Sequence, residues 1–362
     1  MSTIANFAGG GALSEHELII HSRDSNGNIR ASETIPSAAE GIITPTNLFY
    51  ILNHYDAPPP IQKETLSLRI EGAVRKPYTL SYADLRKLPS RSVMALIECA
   101  GTSRKFLKPQ TPGTQLGNGS VSCGEWTGVS LATLVSKAEP IDDAVEVLIE
   151  GRDSGTAQPE NVRSTFAKSL PWEKFVSPDT MIAWALNGEP LEHAHGAPIR
   201  LVVPGWYGVW WVKWISQIQV LKTRFEGFWQ KLRYVYSWQD GRHEFLVTTQ
   251  KVNSLITDPL PDKPIESGRQ MLRGYAWSGS GTIVRVEVSF DGGSSWRVAS
   301  LLEPRNRWTW TRWEIEWSAQ PGEYYIHCRA TDEIGHTQPP EFEWNRLGYG
   351  NNGIQHFKFL VR

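Results

Sequence analysis

The stretch Met94-Ala95-Leu96-Ile97-Glu98-Cys99-Ala100-Gly101-Thr102-Ser103-Arg104 organises the chain. An apolar run of strand length delivers a cysteine to a turn of small residues, and an arginine follows. Ala100 and Gly101 leave room for a bulky group beside the thiol. A cation at Arg104 favours the thiolate over the thiol. A single cysteine at a strand end is more commonly a packed structural residue, so the reading depends on what flanks it.

Downstream, three glycines between Gly113 and Gly119 lack the G-x-G-x-x-G spacing, and no helical pattern follows them. A nucleotide cradle is therefore set aside. Glu125 to Leu131 leads into a short apolar helix over Leu131 to Val135. A strand over Val145 to Ile149 then runs into Gly151-Arg152-Asp153-Ser154-Gly155. Asp153 is thereby expected just past a strand end, either as a solvated loop carboxylate or as a ligand contact. Buried-strand runs at Met181 to Leu186 and Ile199 to Val203 flank the turn Asn187-Gly188-Glu189-Pro190. His193, His195 and Arg200 lie between or at them, and Lys213 follows among the tryptophans of Gly205 to Trp214. Cations gathered beside two turns form an anion cradle.

Upstream, the first forty residues (1–40) are polar and read as an extended arm, with a turn at Ser22 to Asn28. Thr44 to His54 offers aromatics and an imidazole before Pro58-Pro59-Pro60, an extended connector. Leu66, Leu68 and Ile70 alternate as a strand. Ser81 is placed to cap a short helix with Asp84 in its first turn, and Pro89 stops it. Strand ends with small and polar residues suit a mixed α/β domain over 41–240 with its site along one edge.

The texture changes after Trp238. Short strands alternate with turns at Met271 to Trp277, Thr282 to Phe290, Trp296 to Leu302, Trp313 to Trp317 and Tyr324 to Arg329. Asp291-Gly292-Gly293 is a hairpin signal. In Trp313-Glu314-Ile315-Glu316-Trp317 one face is apolar. Trp308 and Trp310 carry the opposite parity, which implies a bulge, a bend or contact with another surface. Residues 241–362 are expected to form an all-β, immunoglobulin-like sandwich. The fold class is α+β, a mixed domain followed by a sandwich.

Bulk properties agree. A chain of 362 residues exceeds one ordinary core, and a net charge of −1 offers nothing to nucleic acid or a membrane surface. Three cysteines without a C-x-x-C motif make neither a disulfide framework nor a structural zinc site. Met1 to Ser14 carries no basic region and no apolar core of signal length, and no run reaches transmembrane length. Cytoplasm is the expectation, with the periplasm open to a processed chain.

Taken in order, these segments resemble the sulfite oxidase family of molybdenum enzymes. Cys99-Ala100-Gly101 with Arg104 resembles its metal-ligand motif. His195-Gly196-Ala197-Pro198-Ile199-Arg200, Val203-Pro204-Gly205 and Val212-Lys213-Trp214 resemble its most recognisable block. Arg285 to Ser289 before Asp291-Gly292-Gly293, Arg329 to Asp332, and Trp344-Asn345 resemble its dimerisation domain. The resemblance implies molybdenum bound by Cys99, a soft thiolate ligand, completed by a molybdopterin dithiolene and oxo groups. It implies His195, Arg200 and Lys213 on the pterin phosphate and Asp153 on the pterin ring. Tyr50, Asn53 and His54 would make contacts from the early loop, and Trp211 would offer its backbone. Arg104 and Tyr234 would meet the substrate.

Three positions depart from the family pattern. Leu52 stands where an arginine is expected, no tryptophan of the glycine-rich loop matches, and the register after Trp344-Asn345 puts Leu347 rather than Arg346 at a further arginine position. Lys105, Lys108 and Arg233 are candidates for the missing charge. Cys123 is reminiscent of the sulfur-oxidising dehydrogenase branch but is read as a packed residue, as is Cys328.

The implied function is oxidation of a small oxyanion, sulfite, with oxygen from water. Electrons pass to an external acceptor, since no haem motif is present, and a homodimer forms through the sandwich. The alternatives are the same cofactor reducing a sulfoxide or nitrate, and an interaction protein with a degenerate cofactor domain.

Overall fold

The computed structural model describes residues 18–35, 41–238, 240, 244–260 and 264–362. In its described part, the polar leading segment is a hairpin of β1 (Ile19–Arg23) and β2 (Ile29–Glu33), not one extended strand. Asp24 makes the turn, its Oδ1 accepting from the backbone N–H groups of Asn26 and Asn28 at 2.9 Å each.

The chain continues through β3 (Ser67–Gly72), β4 (Tyr78–Ser81), α1 (Tyr82–Lys87), β5 (Arg91–Glu98), β6 (Val121–Ser130), α2 (Leu131–Lys137), β7 (Glu146–Ala157) and β8 (Val162–Pro171). It then forms α3 (Trp172–Phe175), β9 (Met181–Leu186), β10 (Glu189–Pro190), β11 (Arg200–Val202), β12 (Ile215–Leu221) and α4 (Phe228–Lys231). The helix at Ser81 forms as its cap predicts: the Ser81 hydroxyl accepts from Asp84 N–H at 3.1 Å and the Asp84 carboxylate reaches back. One sheet runs β10-β9-β6-β5 with β11 also on β9, and another runs β4-β3-β12-β7-β8. Among the described strands of these two sheets, β3 and β12 pair in parallel and the other pairs are antiparallel.

Asp153 departs from its expected place. The strand does not stop near Ile149 but runs to Ala157, with a register shift against β8 between Glu150 and Ser154. Asp153 thus sits inside a β-bulge, which aims its side chain away from the ladder.

After β13 (Val235–Tyr236) and β14 (Phe245–Leu246) comes the sandwich: β15 (Asn253–Asp258), β16 (Gly268–Trp277), β17 (Ile283–Ser289), β18 (Arg297–Val298), β19 (Ser300–Leu302), β20 (Thr311–Ala319), β21 (Gly322–Asp332) and β22 (His356–Val361). Four-stranded sheets β15-β16-β20-β19 and β18-β17-β21-β22 face each other. The run Trp296 to Leu302 is two short strands, one in each sheet, because the chain changes sheets at buried Ala299. Trp313, Ile315 and Trp317 are buried as their alternation predicts. Trp308 and Trp310 precede β20 and meet different surfaces. Trp310 enters the sandwich core, whereas Trp308 packs on the first core and donates its Nε1–H to Asp179 at 2.8 Å.

Two hydrophobic cores result, and β5 is their common wall. Ala95, Ile97 and Cys99 belong to the first core, while Leu96 joins the second beside Val121 and Cys123. Glu98 points the same way as Leu96 and accepts from Trp277 Nε1 at 3.0 Å. The period-two alternation of one strand therefore serves both halves.

Candidate active site

Cys99 closes β5. Its N–H donates to Ser120 at 2.9 Å, and its Sγ accepts from the Gly101 N–H at 3.3 Å. The chain then turns sharply: Ser103 has φ 64°, and a Cβ on Gly101 would lie 2.6 Å from Arg104 Nη1. A glycine is required for the arginine to fold back over the turn. Arg104 is buried, donating from Nε to the Leu347 carbonyl at 3.1 Å and from Nη1 to that of Thr114 at 3.0 Å.

Beneath the thiol lies a cleft with about 650 Å³ of atom-free space, counted out to its mouth. Tyr50, Asn53, His54, Cys99, Asp153, His195, Arg200, Trp211, Lys213 and Tyr234 all line it. Residues spread over 185 positions of sequence thus line one cleft.

The cradle's electrostatics differ from the expectation of several cations. Burial, with Lys213 and Arg200 nearby, pushes His195 down to about 3, so its imidazole is neutral at physiological pH. Arg200 is lowered by burial to about 10 and stays charged. Its Nη1 and Nη2 donate to the carbonyls of His195 (2.9 Å) and Trp211 (3.1 Å), while its buried Nε has no partner among the described residues. Lys213 is shifted down by burial and by Arg200, against the pull of Asp153. Its Nζ donates to Asn53 Oδ1 and to the Ala194 carbonyl. Asp153 is raised by burial, and its Oδ1 likewise lacks a partner. Buried polar atoms left unpaired in this way mark a place for a polar ligand. The orphans are a guanidinium donor and a carboxyl acceptor, which fit an anionic group and a heterocyclic N–H respectively. The donor set therefore suits a pterin with a phosphate.

Cys99 also departs from the sequence reading. Burial pushes the thiol up to about 11, outweighing the Arg104 guanidinium and the Gly101 N–H. Arg104 alone does not ionise it; a cation at Sγ would.

A second cleft, about 990 Å³ of atom-free space counted out to its mouth, adjoins the first and shares Leu52, Asn53, His54, Cys99 and Tyr234 with it. Tyr234 has a left-handed φ of 55°, a strained conformation held by its surroundings. Its hydroxyl is 2.5 Å from His54 Nε2, and its ring stacks on Tyr349 at 4.7 Å. His54 lies between Phe166 and Trp229, and burial, then Lys168, lowers it to about 3. A neutral imidazole therefore fixes the hydroxyl.

Of the proposed replacement cations, Arg233 lines this cleft; Lys105 does not, and Lys108 lines a separate groove near Trp344. Leu347, not Arg346, faces the cleft, as the register indicated. Trp229 supplies a lining tryptophan from outside the glycine-rich loop. Tyr236, two residues beyond Tyr234, stands beside Tyr207 and Gly350 and is in neither lining. Arg23 and Arg30 of the leading hairpin also line the cleft and were not anticipated. They sit in a short polar segment with no motif around them. The one signal available was two arginines flanking a turn. Cys123 is fully buried against Leu96 and Cys328 lies within the sandwich, so both are packing residues.

Comparison with known proteins agrees with this geometry. The family model for the oxidoreductase molybdopterin binding domain matches residues 54–229, and that for the Mo-co oxidoreductase dimerisation domain matches residues 244–361. The mitochondrial sulfite oxidase of Macaca fascicularis is 31% identical over 336 residues, covering 86% of this chain and 61% of that protein. The sulfite oxidase of Gallus gallus is 32% identical over 333 residues, covering 86% and 71%. This chain thus spans less than two thirds of the first of these relatives. Among solved structures, the sulfane dehydrogenase SoxCD of Paracoccus pantotrophus superposes with a TM-score of 0.85 at 29% identity, covering 99% of this chain and 92% of that one.

Proposed function

The chain belongs to the sulfite oxidase family of molybdopterin-dependent oxidoreductases, and from that premise we propose that it oxidises sulfite to sulfate, taking oxygen from water and passing two electrons to an external acceptor. One observation carries the reading: the Cys99 thiol is common to a deep cleft with orphaned cationic and carboxyl groups and to a shallow cleft lined by arginines and a tyrosine. A molybdenum centre bound there supplies two-electron oxygen-atom transfer.

The rest is the work of this chain's residues. Cys99 Sγ is the metal ligand. Arg200 and Lys213 hold the pterin phosphate, joined by His195, which as a neutral ring offers one N–H donor. Asp153 Oδ1 accepts from the pterin ring, and Tyr50, Asn53 and His54 close over it. The Trp211 carbonyl fixes Arg200. On the other side, the Tyr234 hydroxyl and Arg104 Nη2 bind and orient the substrate oxyanion. Arg104's other nitrogens are held by carbonyls, so it is presented in one orientation at little entropic cost. Val284, Val298 and Tyr325 are exposed on the sheet β18-β17-β21-β22 and support pairing of two copies through the sandwich.

The test is metal analysis followed by stopped-flow reduction of the oxidised holoenzyme. Equimolar molybdenum and reduction that saturates with sulfite are expected. Protein without molybdenum, from a host that makes the cofactor, would overturn the cofactor assignment. Molybdenum-replete protein that sulfite does not reduce would overturn the substrate. Apolar Leu52 and Leu347 in the lining of the second cleft, where arginines are expected, make nitrate the next candidate, tested as an oxidant of the pre-reduced enzyme.

A further inference from the structure

We propose that the leading hairpin is part of the substrate site, and that Arg30 and Arg23 are binding residues for the incoming dianionic oxyanion. The inference extends the oxyanion-oxidase reading above and rests on it for the identity of the ligand.

The hairpin is built into the site rather than laid over it. Strand β2 pairs with the Tyr50–His54 loop: Ser32 N–H donates to Ile51 O at 2.8 Å, Asn53 N–H to Arg30 O at 2.9 Å, and Ala31 bridges Leu52. On its other side, buried Glu33 accepts from the N–H groups of Gly117 and Gly119 at 2.9 Å each. Thr34 N–H donates to Gly119 O at 2.9 Å. One short strand thus joins two loops that form opposite walls of the shallow cleft. It sets Arg30 beside Leu52, with Nη2 donating to the His54 carbonyl at 2.7 Å.

The charge distribution then points to an anion. Arg23, Arg30, Arg104 and Arg233 line the cleft, and among the described residues its lining contains no aspartate or glutamate. The chain as a whole carries −1, so this charge is segregated rather than general. Two of these arginines also pair with carboxylates outside that lining. Asp56 is 4.0 Å from Arg30 Nη1, and Glu160 is 2.6 Å from Arg233 Nη2. A concave surface lined by one sign of charge concentrates and guides the opposite sign. Arg30 and Arg23 supply at the mouth the charge that Leu52 and Leu347 do not. Arg104 is deepest and most buried; the hairpin arginines are the outer pair.

The experiment uses molybdenum-replete enzyme carrying Arg23→Ala and Arg30→Ala together, with Arg30→Lys as the charge-conserving variant. Arg69→Ala, on β3 away from either cleft, serves as a control for net charge. Sulfite steady-state kinetics and sulfate binding, followed by intrinsic tryptophan fluorescence, are read in parallel. The double variant should raise KM for sulfite and weaken sulfate binding by about tenfold each, with a flatter dependence of kcat/KM on ionic strength. Arg30→Lys should recover most of both, and Arg69→Ala should change neither. Unchanged sulfate binding and KM in the double variant would overturn the proposal. If sulfite fails as a substrate even for the parent enzyme, the oxidase reading falls while the sulfate titration still decides the role of the hairpin.

Discussion

Replacing Glu33 by alanine should release the leading hairpin from the cleft without unfolding the rest. The Glu33 carboxylate is buried and accepts from Gly117 N–H and Gly119 N–H at 2.9 Å and from His21 Nε2 at 2.6 Å. Burial by itself would raise this carboxyl. The hydrogen bonds from His21, Gly117 and Gly119 outweigh burial and hold it below the ordinary glutamate range. Removing the acceptor strands two buried N–H groups and one imidazole, and loss of one partner of such a buried charged set costs about 3 kcal/mol. If opening of the hairpin is the cheapest response, that energy appears as roughly a hundredfold faster exchange of the amides that tie it down, including Ser32, Thr34 and Asn53. Hydrogen exchange by mass spectrometry over β1–β2 and Gly113–Gly119 measures this directly, with β16–β20 as the internal reference. The parent should lose the same protection in acid. A carboxyl held low in the folded state contributes stability above its unfolded pKa, near 4.5, and that contribution disappears as pH falls through the folded value. Exchange at Ser32 and Asn53 that is unchanged in Glu33→Ala would refute the view that this carboxylate anchors the hairpin.

Three further outcomes follow from the same geometry. Tyr234→Phe removes the hydroxyl that meets His54 at 2.5 Å and should lower kcat for sulfite by about 10–100-fold with little change in molybdenum content, read by stopped-flow and metal analysis. A variant of near-parental kcat would remove Tyr234 from the substrate site. Asp153→Asn takes away the one carboxylate that opposes the downward shift of Lys213, so Lys213 should lose charge and the purified protein should retain less pterin; full retention would contradict the cradle. Glu98→Gln concerns stability. Burial raises Glu98 to about 8 despite the Trp277 hydrogen bond, so the folded state binds a proton that the unfolded state has released. Stability therefore falls between about pH 4.5 and pH 8, and the amide should be stabilised at pH 8 by on the order of 3–5 kcal/mol. Thermal unfolding of both proteins across that range checks it, and parallel curves would reject the raised carboxyl.

The parts of the site legible in the sequence are those whose residues lie close together along the chain. Cys99 to Arg104 and His195 to Lys213 are compact blocks in which chemistry and spacing occur together; Cys99, His195, Arg200 and Lys213 line the first cleft and Arg104 the second. Burial is a different matter. That His195 is neutral and Cys99 resists ionisation depends on surfaces brought in from distant strands, which no local pattern records. Asp153 was identified but misplaced, because the register shift that turns it inward arises from pairing with β8. Arg23 and Arg30 were invisible for a related reason. A short polar hairpin has weak periodicity of its own and acquires its position from the loops it bridges. The sandwich strands were easier, since each carries its own alternation. The run at Trp296 to Leu302 failed only where the chain changes sheets.

The shared wall at β5 constrains how this architecture can be recombined. Leu96 and Glu98 face the sandwich while Ile97 and Cys99 line the first cleft, so alternate residues along this stretch answer to different neighbours. Fusing the first half of this chain to another family member's sandwich would therefore shift the strand that leads into Cys99 unless Trp277 and the residues around Cys123 were exchanged with it. The two segments recognised by separate family models are, in this sense, a single heritable module, and a graft that respects only the linker between them would disturb the thiol it was meant to leave alone.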